Sequence, residues 1–170
     1  KIGLTDKQFT INVSNKKILQ GLINKLKIEE DKQYKVLKSI DKLDRLGIKG
    51  VEELLKKERK DKSGAITKGA DLSNDQANEI LNFLKIKDLN KLKQNFKNPL
   101  TQEGIKELEK FFEILSFGSY FDQVKTNFTI VRGLDYYDGF CVETNLNFKA
   151  KNNNGKEVDI GSICSGGQYN

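Results

Sequence analysis

Arginine is scarce in this chain. Of 30 Lys and Arg residues, only Arg45, Arg59 and Arg132 are arginine. The first two lie among lysines. Arg132 stands apart in Val131-Arg-Gly-Leu-Asp-Tyr-Tyr-Asp-Gly139, bracketed by Gly133 and Gly139 and close to Asp135, Tyr136, Tyr137 and Asp138. A guanidinium suits two-pronged recognition of a carboxylate or phosphate. Adjacent tyrosines offer flat apolar walls that carry phenol hydroxyls, and glycine admits backbone close to a ligand. A second small-residue stretch, Gly161-Ser-Ile-Cys-Ser-Gly-Gly-Gln-Tyr169, follows. Together they describe a pocket for a small polar or anionic molecule. The plainer alternative is a tight turn with a structural Arg–Asp pair and tyrosines in the core.

Composition excludes much other chemistry. With no His, the chain supplies no imidazole base, no Ser-His or Cys-His nucleophile pair and no His metal site. Its two cysteines, Cys141 and Cys164, are too few for a structural zinc site or a disulfide scaffold and read as reduced thiols. No run approaches the roughly 20 apolar residues of a membrane span, and no signal peptide opens the chain. A cytoplasmic protein without a membrane partner is expected. Methionine is absent, so Lys1 is not read as a natural start and a piece of a longer protein is expected. At 170 residues, 36% hydrophobic and 32% charged, the chain is long enough to own a core.

Charge is uneven. Residues 1–120 carry +7 and residues 121–170 carry −1, for a net +6. A basic N-terminal part suits a polyanion such as RNA, although lysine interspersed with acids is also the ordinary composition of a solvated helix face.

The elements that must position Arg132 and its neighbours follow from periodicity. Phe9, Ile11 and Val13 alternate with Thr10 and Asn12 as a strand. Ile18, Leu22 and Leu26 have helix spacing. From about 30 to 117 the pattern is helical almost throughout. Val36, Ile40 and Leu43 form one helix, with Gly47 as its C′ residue. Val51, Leu54 and Leu55 form a short one, and Asp61–Asp71 is a loop. Ser73 and Gln76 have capping-box spacing ahead of Ala77, Ile80, Leu81 and Leu84. A weaker helix runs through Leu89, Leu92 and Phe96. Pro99 marks a break, and Thr101 is the expected N-cap of a helix using Ile105, Leu108, Phe112 and Leu115. After Gly118 strands are expected. Phe128 and Ile130 alternate with Thr129 and Val131, and Phe140, Val142 and Thr144 alternate with Cys141 and Glu143, with Leu146 and Phe148 continuing that face. Asn152–Gly155 is a turn, and Val158, Ile160 and Ser162 form the return strand, pairing 140–150 with 156–164. An α+β chain whose helical block interrupts a sheet fits this order better than a bundle with a tail.

Arg132-Gly-Leu-Asp-Tyr-Tyr137, then Glu143, then Cys164-Ser-Gly-Gly-Gln-Tyr169, strongly resembles the histidyl-tRNA synthetases. Asp41-Lys-Leu-Asp-Arg-Leu-Gly47, Arg59–Gly64 and Lys68-Gly-Ala-Asp-Leu-Ser73 resemble the insertion domain found in a subset of them, and residues 9–24 resemble the strand and helix just before it. The resemblance implies an antiparallel class II synthetase sheet interrupted by a helical insertion. Residues 1–28 would be strand and helix of the catalytic core, 29–118 the insertion, and 119–170 the ribbon with the histidine-binding motif. It implies that Arg132 contacts the substrate carboxylate and the α-phosphate of the adenylate, stabilising charge as the adenylate forms. It further implies that Tyr136, Tyr137 and Tyr169 line the histidine pocket while Gly166 and Gly167 admit close approach. The substrates implied are L-histidine, ATP with Mg2+ and tRNA(His), the assembly a homodimer, and the insertion would lie against the tRNA acceptor arm.

The chain departs from the family pattern at Gly166-Gly-Gln-Tyr-Asn170, where Gly-Gly-Arg-Tyr-Asp is usual. A cation and an anion are lost together. The three class II motifs, two with ATP-binding arginines and one for dimerisation, are also absent, so the fragment alone is expected to be inactive. Two rival readings remain. One is a non-catalytic synthetase-like regulatory or tRNA-sensing protein. The other is a helical RNA-binding module with a structural ribbon.

Overall fold

The computed structural model describes residues 3–131, 137–158 and 160–169. Strand β1 (Phe9–Asn15) runs without a linker into helix α1 (Lys16–Lys25), because Asn15 both ends the strand and caps the helix, its side chain accepting from Lys17 N. Helices α2 (Glu30–Ile40) and α3 (Leu43–Leu55) follow, then a hairpin of β2 (Glu58–Lys60) and β3 (Ile66–Lys68). Helices α4 (Asn74–Leu84), α5 (Leu89–Asn95) and α6 (Pro99–Leu115) return the chain to the sheet. Strands β4 (Val124–Thr126), β5 (Tyr137–Leu146), β6 (Ala150–Lys151), β7 (Glu157–Val158) and β8 (Ser162–Tyr169) complete an α+β fold. No described helix is long and apolar enough to cross a membrane.

The main sheet has the order β4-β1-β5-β8. β1 pairs antiparallel with β5, and β5 with β8, but β4 lies parallel to β1. The sheet is therefore mixed rather than wholly antiparallel. One face carries Ile11, Val13, Phe140 and Val142 and packs on the helices; Phe111 of α6 meets Phe140 with ring centroids 4.7 Å apart. The other face carries polar rungs such as Asn12, whose Nδ2 donates to Asn145 Oδ1 over 2.8 Å.

Several expectations shift for local reasons. The helix through Val36 and Ile40 ends at Asp41, and Leu43 opens the next one; Gly47, at φ +65°, kinks α3 instead of closing α2. Residues 61–71 are not all loop, since 66–68 pair back onto 58–60. Beyond them, the N–H groups of Gly69, Ala70, Asp71 and Leu72 donate to the carbonyls of Lys57, Leu54, Lys56 and Leu55. These are carbonyls a helix C-terminus leaves without partners. A Cβ on Gly69 would stand 2.5 Å from Leu54 O, so the approach needs glycine. Thr101 is not a cap: Asn98 caps α6 by accepting from Thr101 N, Pro99 takes the first helical position, and the Thr101 hydroxyl donates to Ile18 O over 3.1 Å. The strand expected at 128–131 lies earlier, at β4. Phe128, 1% exposed, is apolar because it plugs the core from the following turn, where Asn127 Oδ1 accepts from Thr129 N. β5 stops at Leu146, leaving Phe148 exposed. The return strand is 162–169, and residues 150–158 fold separately as the small β6–β7 ribbon around the predicted Asn152 turn. The capping box of Ser73 and Gln76 forms as read.

The helical block is joined to the sheet where α1 crosses α6. Gly21 and Gly104 lie at this crossing. A Cβ on Gly21 would overlap the Asn98 and Thr101 side chains and come within 2.7 Å of Thr101 N; one on Gly104 would be 3.0 Å from Ile18 Cγ1. Backbone atoms cannot yield as a side-chain tip can. Gly21→Ala is expected to destabilise the protein by about 1–3 kcal/mol through overpacking, despite alanine's better helix propensity. An unchanged urea midpoint would contradict it.

Candidate amino-acid-binding face

Of the expected site residues that are described, Tyr137, Tyr169 and Gly167 meet on the polar face of β5 and β8, while Gly166 lies on the helix-packed face beside Val142. Tyr137 pairs with Tyr169, Cys141 with Gly167, Val142 with Gly166 and Glu143 with Ser165. The register is irregular between Tyr137 and Cys141, where Gly139 sits at φ +130°. A bulge of this kind re-aims the side chains beside it. The Tyr137 and Tyr169 rings meet edge to face, centroids 5.1 Å apart at 78°. Tyr137 is buried with Ile130 and Cys141, while Tyr169 is 67% exposed. The stretch 161–169, read as following the return strand, is itself that strand.

The two glycines differ. A Cβ on Gly167 would stand 2.5 and 2.7 Å from Cδ2 and Cδ1 of Tyr137, so the Tyr137 ring lies directly on the glycine backbone. At Gly166 the nearest atom is Val142 Cγ1 at 3.6 Å, an ordinary contact. The close approach expected of both is required only at Gly167, and what approaches is a tyrosine ring of the same protein. Arg132 and Tyr136 lie outside the described residues, as does Asn170. Val131, immediately before Arg132, borders a cavity of about 30 Å³ with Thr129, Glu143 and two carboxylates at the α2–α3 junction, Asp41 after α2 and Asp44 in the first turn of α3. An open groove of about 610 Å³ continues past Asn145 and Gly161 beside the same junction. The helical block thus borders the polar face at the Glu143–Leu146 end of β5, and neither Tyr137 nor Tyr169 lines either space. A larger groove, about 770 Å³, lies at the β4 edge near Lys87 and Lys125 and touches none of the described site residues.

Sequence reasoning missed a polar network behind this face. Glu107 of α6 accepts from Asn15 Nδ2 over 2.5 Å and pairs with the Lys17 ammonium, which also meets Glu103 at 2.7 Å. Glu103 first and Glu107 second hold the Lys17 ammonium above the usual lysine value. The available signal was the spacing of Glu103 and Glu107, four apart on one helix face. Burial pushes the Cys141 thiol up to about 11, partly offset by a hydrogen bond from Ser14; Cys164 is exposed and unbridged.

Two outcomes follow from this geometry. Gly167→Ala should displace the Tyr137 ring and weaken the near-ultraviolet circular dichroism of tyrosine, while Gly166→Ala leaves it nearly intact; equal spectra for the two variants would contradict the packing described. Iodoacetamide at pH 8 should alkylate Cys164 and spare Cys141 until the chain unfolds, since only the thiolate reacts. The folded state keeps the Cys141 proton to higher pH than the unfolded chain. The associated stability is therefore present below the ordinary thiol value of 9.0 and is lost as pH rises toward about 11.

No family model matches the chain. Among curated proteins, it is 70% identical to a histidine–tRNA ligase of Pelagibacter ubique (strain HTCC1062) over 99% of its own length and 37% of that protein. It is 37% identical to a histidine–tRNA ligase of Bartonella bacilliformis over 99% of its length and 36% of that protein. A crystal structure of histidyl-tRNA synthetase from Nostoc sp. PCC 7120 superposes with a TM-score of 0.73 at 26% identity, covering 97% of this chain and 36% of that one. At 18% identity and a TM-score of 0.68, a Bacillus halodurans structure titled ATP phosphoribosyltransferase regulatory subunit/histidyl-tRNA synthetase shares the fold. The chain spans a little over a third of the length of the curated relatives it matches. By sequence and by fold alike, the chain is similar to histidyl-tRNA synthetases over nearly its whole length.

Proposed function

We propose that this chain is part of a histidine–tRNA ligase, which activates histidine with ATP to histidyl-adenylate and transfers it to tRNA(His). The observation that carries the reading is the 70% identity to such a ligase across 99% of the chain. The polar face supports it from the geometry side: the Tyr137 and Tyr169 rings meet edge to face at one end of the β5–β8 pair, the kind of aromatic surface that takes a planar imidazole. In this reading Arg132 is the catalytic residue, binding the carboxylate of histidine and the α-phosphate. Tyr136, Tyr137 and Tyr169, with Gly166 and Gly167, belong to the histidine side. Residues 1–28 and 119–170 form catalytic core, and 29–118 is the helical insertion that meets tRNA, in keeping with the +7 of residues 1–120. The ligase works as a cytoplasmic homodimer. ATP is its co-substrate and Mg2+ accompanies the phosphates. Among the described residues no three carboxylate or thiol groups gather to hold a metal.

The test is ATP–pyrophosphate exchange with histidine, run on the purified 170-residue chain and on the full open reading frame that encodes it. Exchange is expected only from the latter. There, Arg132→Ala should lower the rate by about 100-fold to 1,000-fold, the scale for losing a donor to developing negative charge. Exchange by the chain alone would refute its inactivity, and an unchanged rate in the variant would refute the role of Arg132. A full-length protein that binds histidine without exchange would support the regulatory alternative.

A further inference from the structure

We propose that Glu107 is a positioning residue for the Tyr137–Tyr169 pair, acting through the Gly139 bulge from the opposite face of the sheet, and that it is the partner a cation at position 168 would meet. The role rests on the reading of these tyrosines as histidine-facing.

The bulge lies between Tyr137 and Cys141, so its shape decides where the Tyr137 side chain leaves the strand. Its φ of +130° favours glycine. The point where a Cβ would stand on Gly139 is bordered by Gln168 Oε1 at 3.0 Å and Glu107 Oε2 at 3.6 Å. The bulge is therefore flanked by a side chain of β8 and a side chain of α6.

Glu107 is not a loose surface acid at that point. Its Oε2 is held by Asn15 Nδ2 and its Oε1 by the Lys17 ammonium. Both partners lie at the junction of β1 and α1, which fixes the carboxylate relative to the sheet. A carboxylate accepts at about four positions, so Oε2 can take a further donor from residue 168. Gln168 has a neutral amide to offer. An arginine there would present a charged, planar donor to the same oxygen, a stronger bond. A cation at position 168 would thus be balanced by Glu107 on the helix-packed face of the sheet. In this chain Lys17 already supplies charge to Glu107, and an uncharged residue at 168 is accommodated.

The test uses the full-length ligase carrying Gln168→Arg, Glu107→Gln and the two together, with melting temperature and exchange kinetics read for each. Gln168→Arg should raise the melting temperature only where Glu107 is present. Glu107→Gln should raise the KM for histidine by about threefold to tenfold, the range of coupling between neighbouring residues, and leave the KM for ATP unmoved. Gln168→Glu, which opposes two carboxylates, should lower the melting temperature and raise the histidine KM, and serves if Glu107→Gln does not fold. Equal shifts from Gln168→Arg in both backgrounds would overturn the contact. A histidine KM that ignores both Glu107→Gln and Gln168→Glu, while Tyr137→Phe raises it, would overturn the positioning role. If Tyr137→Phe and Tyr169→Phe also leave it unchanged, the histidine-facing reading fails and the positioning role with it, and the melting-temperature coupling alone decides the contact.

Discussion

The close crossing of α1 and α6 is the constraint on which the remaining structure depends. α1 leaves the sheet and α6 returns to it, with the helical block strung between them. Glycines at 21 and 104 bring the two backbones near enough for the Thr101 hydroxyl to reach Ile18 O, a buried bond between residues 83 apart. Ile18, Leu22, Ile105 and Leu108 are then fully buried, and burial of such side chains contributes about 1.5–3 kcal/mol each. The crossing clamps the base of the insertion, so its outer parts can carry surface charge without having to define where the insertion sits.

Much of this was legible from residue order. The α4 cap, the α1 stripe, β1 and the Asn152 turn all carry local signals that tertiary packing did not override. Departures have a common cause: partners distant in sequence. Thr101 looks like a cap, but Asn98 takes that work and Thr101 is used across the helix crossing. Phe128 alternates like a strand residue, yet its apolarity serves as a plug. The 69–72 backbone reads as loop because its hydrogen bonds go to the end of α3 rather than to a ladder of its own. β4 was missed because three residues paired parallel to a strand over 100 positions away leave no periodicity to read.

The site was legible in composition more than in geometry. Tyr137, Tyr169 and the double glycine were all marked by their types and proximity in the chain, and β-pairing brings them together. The division of labour between Gly166 and Gly167 was not readable, because alternation on β8 assigns them to opposite faces and only one lies under an aromatic ring. Nor was the approach of the α2–α3 junction to the Glu143–Leu146 end of β5, which owes its place to the helix block and not to any feature of the junction itself.

Asn15 belongs at once to β1, to the α1 cap and to the Glu107 network, the last linking positions 92 apart. A slip of β1 by one residue would therefore cost the helix its cap and the carboxylate its partner as well as inverting the strand's faces. Register errors are corrected by three independent losses rather than one. Within this chain β1 has no antiparallel partner until β5 follows, more than 120 residues later, and contacts of such separation close slowly. The β1–β5 pairing therefore closes around the whole helical block, and the compactness of that block sets how far the two strands must travel to meet.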